Sequence, residues 1–315
     1  MVDFFDRIYT NIVDKNKFLI KIRFYSFLRL TVRVVVNIIL PIYYIITKNS
    51  LNAKLSTCLE NDNRLIVSLT TFPKRINRVW IVIESILRQT HKPDKIILWI
   101  SNEQFQSIDI LPIKLLKQRN RGLEIRLVEG DIRSHKKYYY TLQEFPNDYM
   151  LTADDDIFYR STMIEDMFNY SNQFPLSVIS QYSSEMQWSG DQLEPYIYWK
   201  SIQKFSNPNL NSFFGSGGGT LFPPHSFDSD VLNSNLFMSL TPTADDIWLN
   251  AMCKLKRTKI TVTNYYTSGL PVINVTNTTL ESINNRLNKN DEQILAVSEY
   301  YKKNRGIDPF EKLID

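Results

Sequence analysis

From residue 64 onward, short apolar runs alternate with segments of helical spacing. The apolar runs predict buried strands at 64–70, 95–101, 123–128 and 149–153. Apolar positions three and four residues apart predict helices at 76–89 and 134–145, with a further helical segment inside 102–121. Strands that alternate with helices predict an α/β fold of the Rossmann type, in which a mixed, mainly parallel sheet is flanked by helices.

The first 50 residues follow a different pattern, in which basic side chains are scattered among aliphatic and aromatic ones. The basic positions between 15 and 33 are Lys15, Lys17, Lys21, Arg23, Arg29 and Arg33. The charge-free stretch that follows, 34–47, is shorter than the roughly 20 apolar residues that a membrane-spanning helix needs. We therefore expect residues 1–55 to form a basic amphipathic helical segment on an anionic membrane surface. Two alternatives remain for this segment: a single membrane span, and a helix packed on the protein's own core.

Composition narrows the class of protein. The chain has 315 residues, 43% of them hydrophobic and 13% aromatic, which is enough for one large or two small globular domains. A net charge of +4 is no nucleic-acid signature, so no nucleic acid is expected as a partner. The two cysteines, Cys58 and Cys253, lie far apart and outside any Cys/His metal spacing, which argues against a disulfide framework or a zinc site.

Three consecutive carboxylates, Asp154, Asp155 and Asp156, follow the strand predicted at 149–153. Like charges at the tip of a buried strand repel each other and lose hydration, so a positive group is needed beside them. A divalent cation is the simplest such group, and Mg²⁺ takes one or two carboxylates together with water and substrate phosphates. A solvated loop or a helix cap is the alternative. The turn at 70–75 should lie at the same sheet edge, where α/β proteins bind ligands.

Two later segments are suited to complete a site. Four of the nine glycines lie within 215–219, where the backbone either passes close to a ligand or forms a plain flexible turn. Further on, Thr243 is a candidate N-cap for a helix whose first turn contains Asp245 and Asp246. A carboxylate fixed there can act as a general base, although acidic residues in a first turn also simply complement the helix dipole.

In their order along the chain, these motifs resemble bacterial nucleotide-sugar-dependent glycosyltransferases of the GT-A fold, the surface-polysaccharide type with a DxD motif. The resemblance covers about 64–270 and rests on IVSLTTFPKRI, SILRQTHKPDKIILWIS, SHKKYYYTLQEFPNDYMLTADDDIFY, GSGGGTLFPP and TADDIWLNAMCKL. It implies a GT-A domain over 60–315, divided into a nucleotide-sugar-binding half (60–160), an acceptor-side half (161–280) and a helical tail (281–315). The N-terminal 50 residues lie outside it.

The resemblance also implies roles for single residues. Asp154 and Asp156 would hold the divalent cation, Mn²⁺ or Mg²⁺, although the additional aspartate between them leaves the metal-binding pair ambiguous. Asp246, or its neighbour Asp245, would deprotonate the acceptor hydroxyl in an inverting reaction. The donor would be bound by the first turn, a lysine, the acidic cluster and the glycine run. The residues are Thr70, Phe72, Arg75, Lys137, Lys136, Asp154, Asp155, Gly217, Gly218 and Gly219, and Lys137 is favoured over Lys136 as the lysine.

The function expected from the resemblance is that of a hexosyltransferase. It would transfer a sugar from a nucleotide diphosphate sugar, with a UDP-sugar favoured, to a hydroxyl of a glycan or lipid-linked glycan at the cytoplasmic face of a bacterial inner membrane. A metal-dependent phosphohydrolase or nucleotidyltransferase also uses clustered aspartates, but no phosphate-binding glycine loop follows the first strand. A non-catalytic carbohydrate-binding membrane protein is a third class, and it would need neither acidic cluster.

Overall fold

The computed structural model describes residues 1–12, 16–47, 63–265, 269–273 and 289–313. Its strands are β1 (Leu65–Thr70), β2 (Lys95–Ser101), β3 (Leu123–Val128), β4 (Tyr149–Thr152), β5 (Val178–Ser180), β6 (Ser183–Glu185), β7 (Trp188–Ser189), β8 (Gln192–Leu193), β9 (Lys200–Ile202), β10 (Ser206–Asn209), β11 (Ser212–Phe214), β12 (Thr220–Phe222) and β13 (Ile260–Val262). Its helices are α1 (Val2–Thr10), α2 (Lys17–Lys21), α3 (Phe24–Ile46), α4 (Val79–Leu87), α5 (Ile113–Leu116), α6 (Lys136–Glu144), α7 (Met163–Gln173), α8 (Ser234–Leu240), α9 (Asp245–Lys256) and α10 (Lys289–Arg305).

A central eight-stranded sheet has the strand order β10-β13-β5-β12-β4-β1-β2-β3. Strands β4, β1, β2 and β3 run parallel to one another, and β13 runs parallel to β5. Strand β12 is antiparallel to both of its neighbours, and β10 is antiparallel to β13. The predicted α/β class with a mixed, mainly parallel sheet is therefore confirmed. Strands β1, β2 and β4 were predictable because apolar runs buried on both faces are typical of parallel strands.

The helices of the parallel half are shorter than the sequence predicts. Helix α4 begins at Val79 and ends at Leu87, inside the predicted range 76–89, and every one of its residues is buried. It has no solvent face because the sheet covers one side and α3 contributes to the same hydrophobic cluster on the other. Helix α6 is preceded by a 3₁₀ turn at Arg133–His135, and the segment 102–121 contains only α5 and the 3₁₀ turn Lys117–Arg121.

The N-terminal helices form a layer on this half of the molecule. Helix α3 buries Val36, Leu40 and Tyr44 in the cluster that also contains α4 and β1. Among the described residues, α3 is the one helix whose length and apolar composition would allow it to cross a membrane. Most of its remaining surface is exposed.

The second half of the chain builds its own hydrophobic cluster around α9. Trp248 and Phe214 are fully buried there, together with Tyr301 from α10. The prediction that Thr243 caps α9 is wrong, because Ala244 occupies the N-cap position and the Thr243 hydroxyl contacts Gln293 of α10 instead. The predicted boundary near residues 55–60 and the start of the tail at 281–288 lie outside the described residues.

A buried ion cluster joins α4 to the segment before β3. Glu84 is almost fully buried and accepts hydrogen bonds from Arg88 at 2.8 Å and from Arg121 at 2.6 Å. Burial alone would raise the pKa of Glu84, but the two guanidinium groups hold it below its usual value. The cluster stays ionised because each charge has a partner.

Glu84→Ala is expected to lower the free energy of unfolding by about 3 kcal/mol, because it leaves two largely buried guanidinium groups without their counter-ion. Urea unfolding followed by circular dichroism measures the loss. Glu299→Ala on the exposed face of α10 is the matched control, and its effect should stay within about 0.5 kcal/mol. Equal unfolding midpoints for both variants would contradict the assignment.

Candidate active site

The strand directions bring three separate segments to one edge of the sheet. Strands β1 and β4 are parallel neighbours, so the turn after Thr70 and the aspartates after Thr152 leave the sheet side by side. Strand β12 is antiparallel to β4, with Thr220 opposite Thr152, so the glycine run before β12 lies at the same edge. The Thr152 hydroxyl donates to the carbonyl of Ser216 at 2.7 Å, which fixes this juxtaposition. The predicted convergence of the turn and the acidic cluster is found.

Asp155 points into the protein. Its carboxylate accepts from the Thr71 hydroxyl at 2.5 Å and from Arg75 Nη1 at 2.5 Å, and its side chain is 6% exposed. Burial raises the pKa of Asp155, and Arg75 opposes that rise. Asp155 therefore ties the end of β4 to the turn after β1.

Asp154 and Asp156 are the aspartates that face outward, with side chains 41% and 27% exposed. Asp154 pairs with Lys137 Nζ at 2.8 Å, and Asp156 pairs with Arg75 Nη2 at 2.7 Å. Burial and the negative charge of Asp154 raise the pKa of Asp156 to about 7, in spite of the nearby guanidinium group. Arg75 thus only partly offsets the effects of burial and of Asp154 on the Asp156 carboxylate.

Lys137 connects the acidic cluster to the start of α9. Its ammonium group lies 2.8 Å from Asp154 and 3.0 Å from Asp245, and the side chain is 4% exposed. Burial would lower the pKa of Lys137, but the surrounding carboxylates hold it well above its usual value, so the lysine is charged. The neighbouring Lys136 points elsewhere and pairs with Asp131.

Asp245 and Asp246 have different environments, although they are adjacent. Asp245 accepts from the Ser216 hydroxyl at 2.7 Å, and Lys137 keeps its pKa below the usual value against the effect of burial. Asp246 accepts the backbone N–H of Ser216 at 2.7 Å, and burial together with the charge of Asp245 raises its pKa to about 7. A half-buried carboxylate with a pKa near neutrality is suited to accept a proton at neutral pH.

The glycine run is packed tightly between side chains of the site. A Cβ at Gly217 would lie 1.7 Å from Oδ2 of Asp154, so only glycine allows the carboxylate its position. A Cβ at Gly218 would lie 2.3 Å from Cβ of Tyr182. Gly219 has a φ of +91° and lies against Met163, on the core side. Of the three predicted glycines, Gly217 is therefore the one in contact with the acidic cluster.

The turn after β1 contains the other predicted donor residues. The Thr70 hydroxyl donates to the carbonyl of Trp99 in the neighbouring strand at 2.8 Å. Phe72 is half-buried, and the guanidinium group of Arg75 lies over its ring at 5.3 Å. This turn is thus held on the acidic cluster through its arginine.

Sequence reasoning missed three residues of the site. Ser216 binds both Asp245 and Asp246, and the Tyr159 hydroxyl accepts the N–H of Asp154 at 2.7 Å and donates to the carbonyl of Gly217. Tyr182 lies against the glycine run with 41% of its surface exposed. Except for the contact of Tyr159 with nearby Asp154, their partners are distant in the sequence, and only the position of Ser216 inside the glycine run offered a signal.

The two carboxylates that face outward could hold a divalent cation if substrate phosphates and water supply its other ligands. The described residues contain no group of three or more His, Cys, Asp or Glu side chains arranged to hold a metal ion. Asp154 and Asp156 supply two carboxylates, and two are enough for Mg²⁺ when substrate phosphates and water fill the other positions. The pKa of Asp156 is raised by burial and by the charge of Asp154, and a cation bound between the two carboxylates would oppose that rise.

Comparison with known proteins adds a limited structural likeness. The chain matches no protein-family model and no curated protein. It is similar to a crystal structure of S. aureus TarS 1-349 in complex with UDP-GlcNAc (TM-score 0.46, 12% identity, 76% of this chain and 74% of that chain). It is also similar to 4-diphosphocytidyl-2C-methyl-D-erythritol synthase from Anaerococcus prevotii DSM 20548 (TM-score 0.43, 14% identity, 72% of this chain and 100% of that chain). Both TM-scores are below 0.5, so the function has to be inferred from the residues of the site.

Gly217→Ala is expected to displace the Asp154 carboxylate and to lower kcat/KM by about 100-fold, the size of effect that a shift of roughly 1 Å can have in an active site. Release of nucleotide from a panel of nucleotide sugars, the donor class that the resemblance implies, measures the turnover. Gly306→Ala, where a Cβ meets nothing within 4 Å but a φ of +68° strains any side chain, controls for the loss of a glycine without a clash in the site. Wild-type turnover in Gly217→Ala would show that the close contact with Asp154 is not needed.

Proposed function

We propose that this protein is a glycosyltransferase that transfers a sugar from a nucleotide diphosphate sugar, with a UDP-sugar favoured, to a hydroxyl of a glycan or lipid-linked glycan. One observation carries the proposal: Lys137 links the outward carboxylate of Asp154 to that of Asp245. Asp245 is adjacent to Asp246, whose pKa is raised to about 7. A cation-binding pair for a phosphorylated donor and a candidate base for an acceptor thus lie on opposite sides of one buried lysine.

On the donor side, Asp154 and Asp156 would hold Mg²⁺ or Mn²⁺, which when bound neutralises the charge that develops on the diphosphate leaving group. Arg75 and Lys137 fix the two carboxylates from opposite sides. Because Lys137 is almost fully buried, it acts by positioning Asp154 and Asp245 rather than by meeting the donor in bulk solvent.

On the acceptor side, Asp246 would take the proton of the attacking hydroxyl. The acceptor oxygen forms a bond to the anomeric carbon, and the bond from that carbon to the diphosphate breaks, so the nucleotide diphosphate leaves with the electron pair. Direct displacement by this route inverts the anomeric configuration. The backbone N–H of Ser216 orients Asp246, and general-base assistance of this kind contributes roughly 10² to 10⁴ in rate.

The sequence pattern of the N-terminal segment supports work at a membrane. The acceptor class proposed here includes lipid-linked glycans at the cytoplasmic face of a bacterial inner membrane. The helix α3 is long and apolar enough to associate with lipid, and basic side chains precede it.

Donor binding tests the proposal directly. UDP or GDP together with Mn²⁺ should raise the Tm by several degrees, since a ligand at about 100-fold its Kd stabilises the folded state by about 2.7 kcal/mol. Asp156→Ala is expected to lose the metal-dependent part of this shift, and thermal unfolding with and without EDTA measures it.

Asp109→Ala, an exposed aspartate elsewhere on the surface, is the control and should keep the full shift. A shift that is independent of metal would remove Mn²⁺ and Mg²⁺ from the proposal. Turnover of nucleoside triphosphates in place of nucleotide sugars would indicate the nucleotidyltransferase or phosphohydrolase class.

The base assignment predicts a pH profile. Because the pKa of Asp246 is raised to about 7, the protonated, inactive form dominates below that pH. At saturating donor and metal, kcat should rise about tenfold per pH unit up to pH of about 7 and then level off. Asp246→Asn should lose about 10² to 10⁴ in kcat, keep the donor-dependent Tm shift and show no such rise.

Asp191→Asn, in the exposed turn between β7 and β8, provides the matched control. It should retain both the rate and the profile of the unmodified protein. Full turnover in Asp246→Asn would contradict the assignment of the base.

A further inference from the structure

The N-terminal layer has an apolar surface that the rest of the chain leaves uncovered. Sixteen of the twenty-seven exposed large hydrophobic side chains among the described residues lie between Met1 and Ile46. On α3 they recur at helical spacing, so they share the face opposite the buried one: Phe27, Leu30, Val34, Ile38, Ile42 and Ile45. An exposed apolar face of this extent is typical of a binding surface.

The opposite face of α3 is held on the rest of the protein by polar contacts as well as by packing. The Asn37 side chain donates to the carbonyl of Pro271 at 2.9 Å and accepts the N–H of Ile273 at 2.8 Å. Near the end of the helix, Arg88 of the segment after α4 donates to the carbonyl of Tyr44 at 3.3 Å. These contacts lie at the middle and near the end of the helix, so its second half, which contains the buried Val36, Leu40 and Tyr44, lies against the rest of the protein.

These contacts argue against a membrane span. Asn37 is near the middle of α3, so a spanning arrangement would either carry the loop at 269–273 to the centre of the bilayer or leave the Asn37 amide without partners in hydrocarbon. A helix lying in the plane of the membrane surface keeps every one of these bonds. Its uncovered face then meets lipid while the other face stays on the protein.

The charges around the surface indicate which lipids it meets. Among the described residues before 48, the exposed charged side chains are all basic: Arg7, Lys17, Lys21 and Arg23. Asp6 is buried, and Asp3 is half-buried and accepts hydrogen bonds from the N–H and hydroxyl of Ser161. A surface with this charge would repel a second copy of itself and attract phosphate headgroups.

We propose that the exposed apolar face of α1–α3 and its basic rim form an in-plane docking surface for a bilayer that contains anionic lipids. The surface goes beyond the proposed transfer reaction and does not depend on it, because lipid binding is measured without donor or acceptor. Apolar insertion supplies binding to any bilayer, and the basic rim supplies the preference for anionic headgroups.

Co-sedimentation of the full chain with vesicles tests the surface. Binding should be stronger to phosphatidylcholine vesicles that contain phosphatidylglycerol than to phosphatidylcholine alone. The combined change Lys17→Gln, Lys21→Gln and Arg23→Gln should weaken binding to the anionic vesicles by about 100-fold, since each basic residue near the surface contributes roughly fivefold. The combined change Phe27→Asp and Ile38→Asp should weaken binding to both kinds of vesicle.

The control is Leu176→Asp with Ile197→Asp, which places the same charges outside the N-terminal helices, at positions that are 85% and 78% exposed. It should bind as the unmodified chain does. Equal binding by the Phe27→Asp and Ile38→Asp variant, or no preference for phosphatidylglycerol, would overturn the proposal. If the chain forms a dimer in the absence of lipid and these substitutions dissociate it, the surface binds a second copy instead.

Depth measurements separate docking from spanning. Tryptophan introduced singly as Phe27→Trp, Val34→Trp and Ile42→Trp samples the start, middle and end of the exposed face of α3. Quenching by lipids brominated at different depths, taken as the difference from the unmodified chain with its five native tryptophans, should place all three at one depth, near the headgroup boundary. If Val34→Trp lies at the bilayer centre and the other two lie nearer opposite surfaces, α3 spans the membrane and the proposal fails.

Discussion

An excess of negative charge at one sheet edge is the constraint on which the site depends. Five carboxylates meet there, and two largely buried cations serve them, Arg75 from the turn after β1 and Lys137 from α6. Each cation bridges different elements, so charge compensation also holds the architecture together. At Asp156 and Asp246, burial and the neighbouring carboxylates outweigh this compensation, and the pKa is raised to about 7. The carboxylates that the proposed chemistry uses thus include these two.

Close approach of the backbone is the second constraint, and it explains the glycine run. Gly217 is bounded by the Asp154 carboxylate, while Gly215 and Gly218 are bounded by Tyr182. The Tyr159 hydroxyl connects the N–H of Asp154 to the carbonyl of Gly217, so the two segments are joined through their backbones. The run is accordingly a packed connector that contacts Asp154 on one side and Asp245 and Asp246 on the other.

The parallel half of the fold could be predicted because its signals are local. Strands β1, β2 and β4 are continuous apolar runs, and the energetic cost of adjacent aspartates is visible in the sequence itself. The three-residue strands β5, β12 and β13 carry no such pattern, since partners from distant parts of the chain define them. The same limit applies within the site. Only the contact with Thr71 and the low exposure of the side chain distinguish the inward-facing Asp155 from its two neighbours.

The N-terminal helices, for which we propose a membrane contact, are connected to the acidic cluster by one short segment. Residues 270–273 pair on one side with the chain after the aspartates, through the N–H of Val272 on the carbonyl of Asp156 and the N–H of Phe158 on the carbonyl of Leu270. On the other side, the same segment exchanges hydrogen bonds with Asn37 of α3. The backbone at Asp156 is therefore one extended segment away from the proposed lipid surface. A docked α3 would hold the proposed donor-side carboxylates at a fixed height above the bilayer. A lipid-linked acceptor is also confined to a limited distance from that surface, so the two would meet.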